Sequence, residues 1–433
     1  SKMARSPQLG KQGAALGNGL GLLPVGRESG GSASASAIGD IVASETAPTD
    51  GTWLRADGDG IRESDYPELV AKLESKTAVW DRLDTPTGIT ATNKGWACAY
   101  SPDGKYMVAG FQAAPYINIF SRGGNEFTKL ADPSTMPTGN GYGAAFSPDS
   151  SYLAVAHSGA GGPYLTIYSI SGDGVFTKLA NPSTLPTGDG WGAAYSPDGG
   201  HLAIAHNTSP YLTIYSVSGD TYTKLANPST LPTGLGRGAA YSPDGNFLAI
   251  AHNTSPYVTI YSISGDTYTK LANPSTLPTG IGFSAVFSPD SSYLVVGHQS
   301  SPYITMYSIS GSTFTKVANP SSLPGGTADG LAYSPDGKYL AMGVANTTIK
   351  ALMYSQSGSV LTNISAFEIT DTNATAKSCA FSAQGGHLSF AIQQSPWVAN
   401  FTGQYDVDSR LLPDLVTERI TYVTPSIPRI KAL

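Results

Sequence analysis

A cassette repeated seven times leaves few folds open to this chain. Aligned on Ser-Pro-Asp or its remnant, the copies begin at Ser101, Ser147, Ser196, Ser242, Ser288, Ser334 and Ser382, in steps of 46 to 49 residues. A fixed period of that length marks a repeat architecture. The third copy reads as four short strands: Trp191 to Ser196, His201 to Ala205, Tyr211 to Val217 and Thr221 to Leu225. Four strands per copy and seven copies predict an all-β, seven-bladed β-propeller, a ring that leaves only short, protected edges.

Local chemistry agrees with the period. Pro197-Asp-Gly199 suits a type I turn between the first two strands. Tyr211 to Val217 is aromatic and β-branched, and it opens after Pro210. The segment Ala226 to Gly234 holds two prolines and ends in glycine, so it reads as a stiff loop between blades. Ring closure needs an outer strand for the seventh blade. Ala78 to Leu83, followed by Thr85-Pro-Thr-Gly88, matches the fourth strand and loop of a repeat; Tyr405 to Leu411 is the competing segment.

Composition narrows the partners. The net charge is −6, only 13% of residues are charged, and no Lys/Arg cluster occurs, so nucleic acid and anionic membranes are not expected partners. No apolar run reaches the roughly 20 residues that span a bilayer. Cys98 and Cys379 hold equivalent positions in the first and seventh copies, and the short reach of a disulfide favours two small buried thiols over a bond.

The most informative differences lie between near-identical copies. Residues 189–234 and 235–280 agree at 40 of 46 positions. Two of the six differences change chemical type at the start of the innermost strand: Asp189 to Leu235 and Trp191 to Arg237. The second of these sites holds Trp96, Tyr142 and Phe283 in other copies. Because an unpaired buried charge is costly, a site exchanging Trp for Arg is expected to be exposed. The candidate ligand-binding residues on the upper face are therefore Trp96, Tyr142, Asp189, Trp191, Arg237 and Phe283, types that supply binding hot spots and stack on sugars. Drift after duplication on an unused surface is the competing reading.

Catalysis finds little support. Hydrolysis of a polysaccharide needs two carboxylates about 5 to 10 Å apart, whereas the turn aspartates Asp103, Asp149, Asp198, Asp244, Asp290 and Asp336 repeat around the far rim. Asp189 and Asp329 are the acidic residues at the variable end. His157, His206, His252 and His298 share one repeat position that elsewhere holds Phe111, Val344 and Ile392, so they read as structural rather than metal-binding. The expectation is a protein with no catalytic residues, no metal and no cofactor.

The N-terminal region differs in kind. Residues 1–37 are rich in Gly, Ala and Ser and cannot bury a core alone. Further on, Gly39-Asp-Ile41, Ser44, Pro48, Trp53-Leu54, Asp57-Gly58, Ser64, Tyr66-Pro67 and Leu69 together resemble the tail collar domain of bacteriophage tail fibres. Departures are Thr52 before Trp53, Ala56 where a cysteine is common, and a shortened stretch before Ser64. The Ser-Pro-Asp-Gly repeats resemble bacterial propeller repeats related to WD-repeat proteins, which speaks to fold only.

These resemblances imply an extended assembly arm over 1–37, a small collar-like module over 38–76, the propeller over 77–410, and a C-terminal tail or closing segment over 411–433. They imply a virion protein made in the host cytoplasm and built, commonly as a homo-oligomer, into a tail or fibre through its N-terminal modules. Its propeller would bind a host cell-surface receptor, a glycan by residue type. The alternative is a structural tail or capsid brace with no host ligand. An enzyme trimming polysaccharide through Asp189 is a third option.

Overall fold

The computed structural model describes residues 41–44, 80–86, 88–89, 94–172, 174–345, 351–367, 375–394, 398–403 and 427–430. Seven four-stranded antiparallel sheets succeed one another as the blades of a β-propeller, and no helix occurs among the described residues. In the third blade the strands run Gly190–Tyr195, His201–His206, Leu212–Ser218 and Thr221–Lys224, from innermost to outermost. Ala376–Phe381 of the seventh blade packs beside Gly95–Tyr100 of the first, which closes the ring.

Closure uses the earlier of the two candidate segments. Trp80–Arg82 is the outer strand of the seventh sheet, next to Val398–Gly403, and Leu83 N–H continues the pairing to Asn400 O at 2.9 Å. Tyr405 to Leu411 lies outside the described residues. Residues 81–402 form one compact unit; 1–80 with 403–433 form another. In the latter, Ile41–Ser44 pairs antiparallel with Ile427–Ile430, so that C-terminal strand belongs to this pair and not to a blade. Apart from these strands, the arm, the collar-like motif and the C-terminal tail fall outside the described residues.

The core lies between blades because each sheet presents apolar side chains on both faces. Ala154, Ala156, Leu165 and Ile167 of the second blade pack against Tyr195, Leu202, Ile204, Tyr215 and Tyr222 of the third. Each fully buried third-strand tyrosine also reaches back to a loop: Tyr215 Oη donates to Thr184 O at 2.9 Å, and Tyr261 Oη to Thr230 O at 2.9 Å. These bonds fix the loop that leads into the innermost strand of the tyrosine's own blade.

At the opposite rim, one hydroxyl organises each turn. Ser196 Oγ donates to Asp198 Oδ1 at 2.5 Å and accepts from His201 N–H at 2.8 Å, while Gly200 N–H donates to Asp198 Oδ1 at 3.0 Å. Gly199 takes the left-handed conformation, at a φ of 73°, that the turn requires. The Ser196 hydroxyl and the Gly200 N–H hold the Asp198 carboxyl below the usual carboxylate range. Cys98 and Cys379 are both buried free thiols, as the spacing argument expects, and burial pushes the Cys98 thiol up to about 12.

Candidate functional site

A β-bulge interrupts every innermost strand at the same place. Pairing with the second strand skips one residue between Gly95 and Ala97, Gly141 and Gly143, Gly190 and Gly192, Gly236 and Gly238, Gly282 and Ser284, Ala328 and Gly330, and Ala376 and Ser378. The skipped residues are Trp96, Tyr142, Trp191, Arg237, Phe283, Asp329 and Lys377. A bulge frees its extra residue from the ladder and re-aims its side chain. Here it brings seven side chains of six types to the propeller axis.

Small neighbours let the seven converge. A Cβ on Gly192 would meet Arg237 O at 3.0 Å, and one on Gly330 would meet Ser378 Cα at 2.6 Å. The seven side chains alone bound a space of about 160 Å³. A second space of about 220 Å³ extends along the following residues, including Ala97, Gly143, Gly192, Gly238, Ser284 and Gly330.

Around the axis, the contacts run unbroken from Phe283 through Arg237, Trp191, Tyr142, Trp96 and Lys377 to Asp329. Tyr142 stacks on Trp191 with centroids 4.6 Å apart, and Trp96 meets Tyr142 edge to face at 5.1 Å. The Arg237 guanidinium lies over both Trp191 and Phe283, 4.9 and 4.8 Å from their centroids. Lys377 Nζ sits 5.6 Å from the Trp96 centroid and donates to Asp329 Oδ2 at 2.8 Å. Asp329 is only 7% exposed. Its burial raises the carboxyl above the usual range, against the pull of Lys377 and Arg237. Burial likewise lowers the Arg237 guanidinium from its ordinary value, with Asp329 opposing.

Three donors in this ring have no acceptor. Trp96 Nε1, Trp191 Nε1 and Arg237 Nε are buried without a hydrogen-bond partner. A buried polar group left unpaired costs about 1–3 kcal/mol, and all three of these donors belong to residues that line the axial space.

The structure places five of the six sequence candidates, Trp96, Tyr142, Trp191, Arg237 and Phe283, in this one ring. It places Asp189 elsewhere: its carboxylate accepts from Gly159 N–H at 3.3 Å and from Asn207 Nδ2 at 3.2 Å, tying two loops together. Two ring members fall outside those six: Asp329, which the sequence offered only as an acidic residue at the variable end, and Lys377, which it did not single out. The expectation of an exposed ring is also corrected, because the aromatic and cationic members are half-buried and Asp329 is buried. Arg237 is tolerated there because ring faces, not solvent alone, surround its charge.

The repeated histidines are structural. His157, His206, His252 and His298 are fully buried, with Nε2 2.9 to 3.0 Å from Oγ1 of Thr166, Thr213, Thr259 and Thr305. Burial lowers His206, His252 and His298 to about 4, so they are neutral near pH 7. No group of three metal-ligating side chains occurs among the described residues.

Fold and site together define a β-propeller whose axis is lined by seven aromatic and charged side chains. Residues 100–275 match the family model described as Lactonase, 7-bladed beta-propeller, which is less than half of the chain. Among solved structures, the chain is similar to Kuenenia stuttgartiensis Hydrazine Synthase, with 16% identity and a TM-score of 0.59 over 74% of this chain and 99% of that one. Identity that low speaks for the fold alone. No curated protein matches.

The Lactonase match overturns the expectation that the protein is not an enzyme, since it makes much of the propeller similar to an enzyme-related family. The physical reason lies in the criterion applied. A search for paired carboxylates tests for one kind of hydrolysis, whereas this ring offers a single buried carboxylate flanked by two cations.

Proposed function

We propose that the axial ring binds a saccharide, and that the propeller is the receptor-binding module of a bacteriophage tail or fibre protein. The observation that carries the binding reading is the set of three buried, partnerless N–H groups on Trp96, Trp191 and Arg237. A sugar supplies oxygen acceptors along its edge and an apolar C–H face for the aromatic rings. The cavity of about 220 Å³ lies below the roughly 300–1,000 Å³ that drug-sized ligands fill, so it suits one terminal sugar rather than a chain.

The virion context rests on the collar-like motif of residues 39–69 alone. The Lactonase description adds a second activity to weigh, the opening of a cyclic ester. Asp329 is the ring's only carboxylate and the group to accept a proton from water in such a step, with Arg237 to meet the developing oxyanion.

The full chain on a saccharide array tests the reading. Saturable binding that disappears in Trp191→Ala is the expected result. A folded protein that binds no saccharide would favour the structural brace. Acid release from sugar lactones, present in the wild type and lost in Asp329→Asn, would add turnover to binding.

A further inference from the structure

The charges of the ring do not cancel. Lys377 and Asp329 form a mutual pair at 2.8 Å, while Arg237 has no ion-pair partner among the described residues. A buried pair contributes little net field, so the ring carries one uncompensated positive charge at the axis of a chain whose net charge is −6. Its orphaned groups, Trp96 Nε1, Trp191 Nε1 and Arg237 Nε, are all donors. Asn140 Nδ2 already donates to Tyr142 Oη at 2.9 Å, and Lys377 donates to Oδ2 of the Asp329 carboxylate. The site therefore demands acceptors, and one negative charge.

The geometry of Arg237 narrows the anion. Its central carbon lies over both the Trp191 and the Phe283 ring, at 4.9 and 4.8 Å from their centroids, which leaves hydrogen bonding to its N–H groups, of which Nε is buried without a partner. An edge of parallel N–H donors matches the two oxygens of a planar carboxylate. A phosphate monoester carries about −1.5 to −2 charges near neutral pH, more than the ring's excess.

We propose that the ligand is a sugar bearing one carboxylate, and that Arg237 determines this specificity. The inference rests on the saccharide-binding reading above and deepens it.

Calorimetric titration of the full chain, followed in parallel by tryptophan fluorescence, separates the two. The probes are the methyl glycosides of glucuronic and galacturonic acid, their neutral parents methyl glucoside and methyl galactoside, and a 6-sulfated galactoside. The acids are expected to bind at least about tenfold tighter than their neutral parents. That preference should shrink to about twofold in Arg237→Met and stay intact in Asp189→Asn. If Arg237→Met does not fold, the wild type still decides: raising salt from about 0.05 to 0.5 M should weaken the acids and leave the neutral sugars unchanged. Neutral sugars binding as well as the acids would overturn the inference and keep the saccharide reading. Equal binding of the sulfated sugar would overturn the carboxylate assignment. Binding of none of the five would overturn both.

Discussion

The two ends of the innermost strand obey opposite rules. At the far rim, the serine and aspartate of the turn form the same bonds in blade after blade, as in Ser147 with Asp149, Ser242 with Asp244 and Ser288 with Asp290. At the axis, five residues earlier, Tyr142, Arg237 and Phe283 differ in size, charge and shape. Repetition marks what every blade needs in order to fold. Difference at a single position marks the one residue per blade that the fold leaves free to vary.

Acid should strain the repeated parts first. Burial lowers His206, His252, His298 and His387 from 6.5 to about 4. Between those values the unfolded chain takes up protons that the folded chain refuses. Stability is therefore fully present above pH 6.5 and falls as pH drops toward 4, by up to about 3 kcal/mol for each histidine. Thermal melts from pH 7.5 to 4 should show this loss. His252→Phe, which installs the residue the first blade has at Phe111, should flatten the slope by one proton. An unchanged melting temperature down to pH 4 would remove the histidines from the account.

Next in size is the rim hydroxyl. Ser242→Ala removes the donor to Asp244 and the acceptor for Phe247 N–H at 2.9 Å, and should cost about 1–3 kcal/mol while ligand affinity stays constant. Denaturant unfolding beside a binding isotherm measures both. A matching loss of affinity would dissolve the distinction between rim and ring.

The ring should behave in the reverse manner. Phe283→Ala removes one of the two faces under Arg237 and should lower stability by only about 1 kcal/mol, yet weaken ligand binding by about tenfold or more. Smallest of all is Asn246→Gly, which makes one near-identical blade match the other at Gly200. The exposed Asn246 side chain bonds only Asp244 Oδ2 at 2.8 Å, and the change should stay within about 0.5 kcal/mol.

Blade count and turn chemistry were legible in the sequence because each depends on spacing and on turn-forming residues, which a repeat displays many times, whereas the closing strand occurs once and two segments competed for it until the pairing of Trp80–Arg82 was seen. Five ring members were legible because copies three and four are nearly identical, so Trp191 against Arg237 stood out. Asp329 and Lys377 were harder to place, since the sixth and seventh copies diverge and Lys377 has no near-identical partner for comparison. Asp189 was misplaced for a local reason. It varies in step with Trp191 but precedes the bulge, so its carboxylate turns toward the neighbouring loop at Asn207. Burial at the ring was invisible because bulges leave no composition signal and half-burial depends on six other blades.

The bulges have a consequence for how such a chain acquires new ligands. Each ring residue stands outside the hydrogen-bonded ladder, so one codon can change it without breaking a strand. The axis is then a seven-letter word written on a fixed page, and copying a cassette supplies a fresh blade with a single letter open to revision.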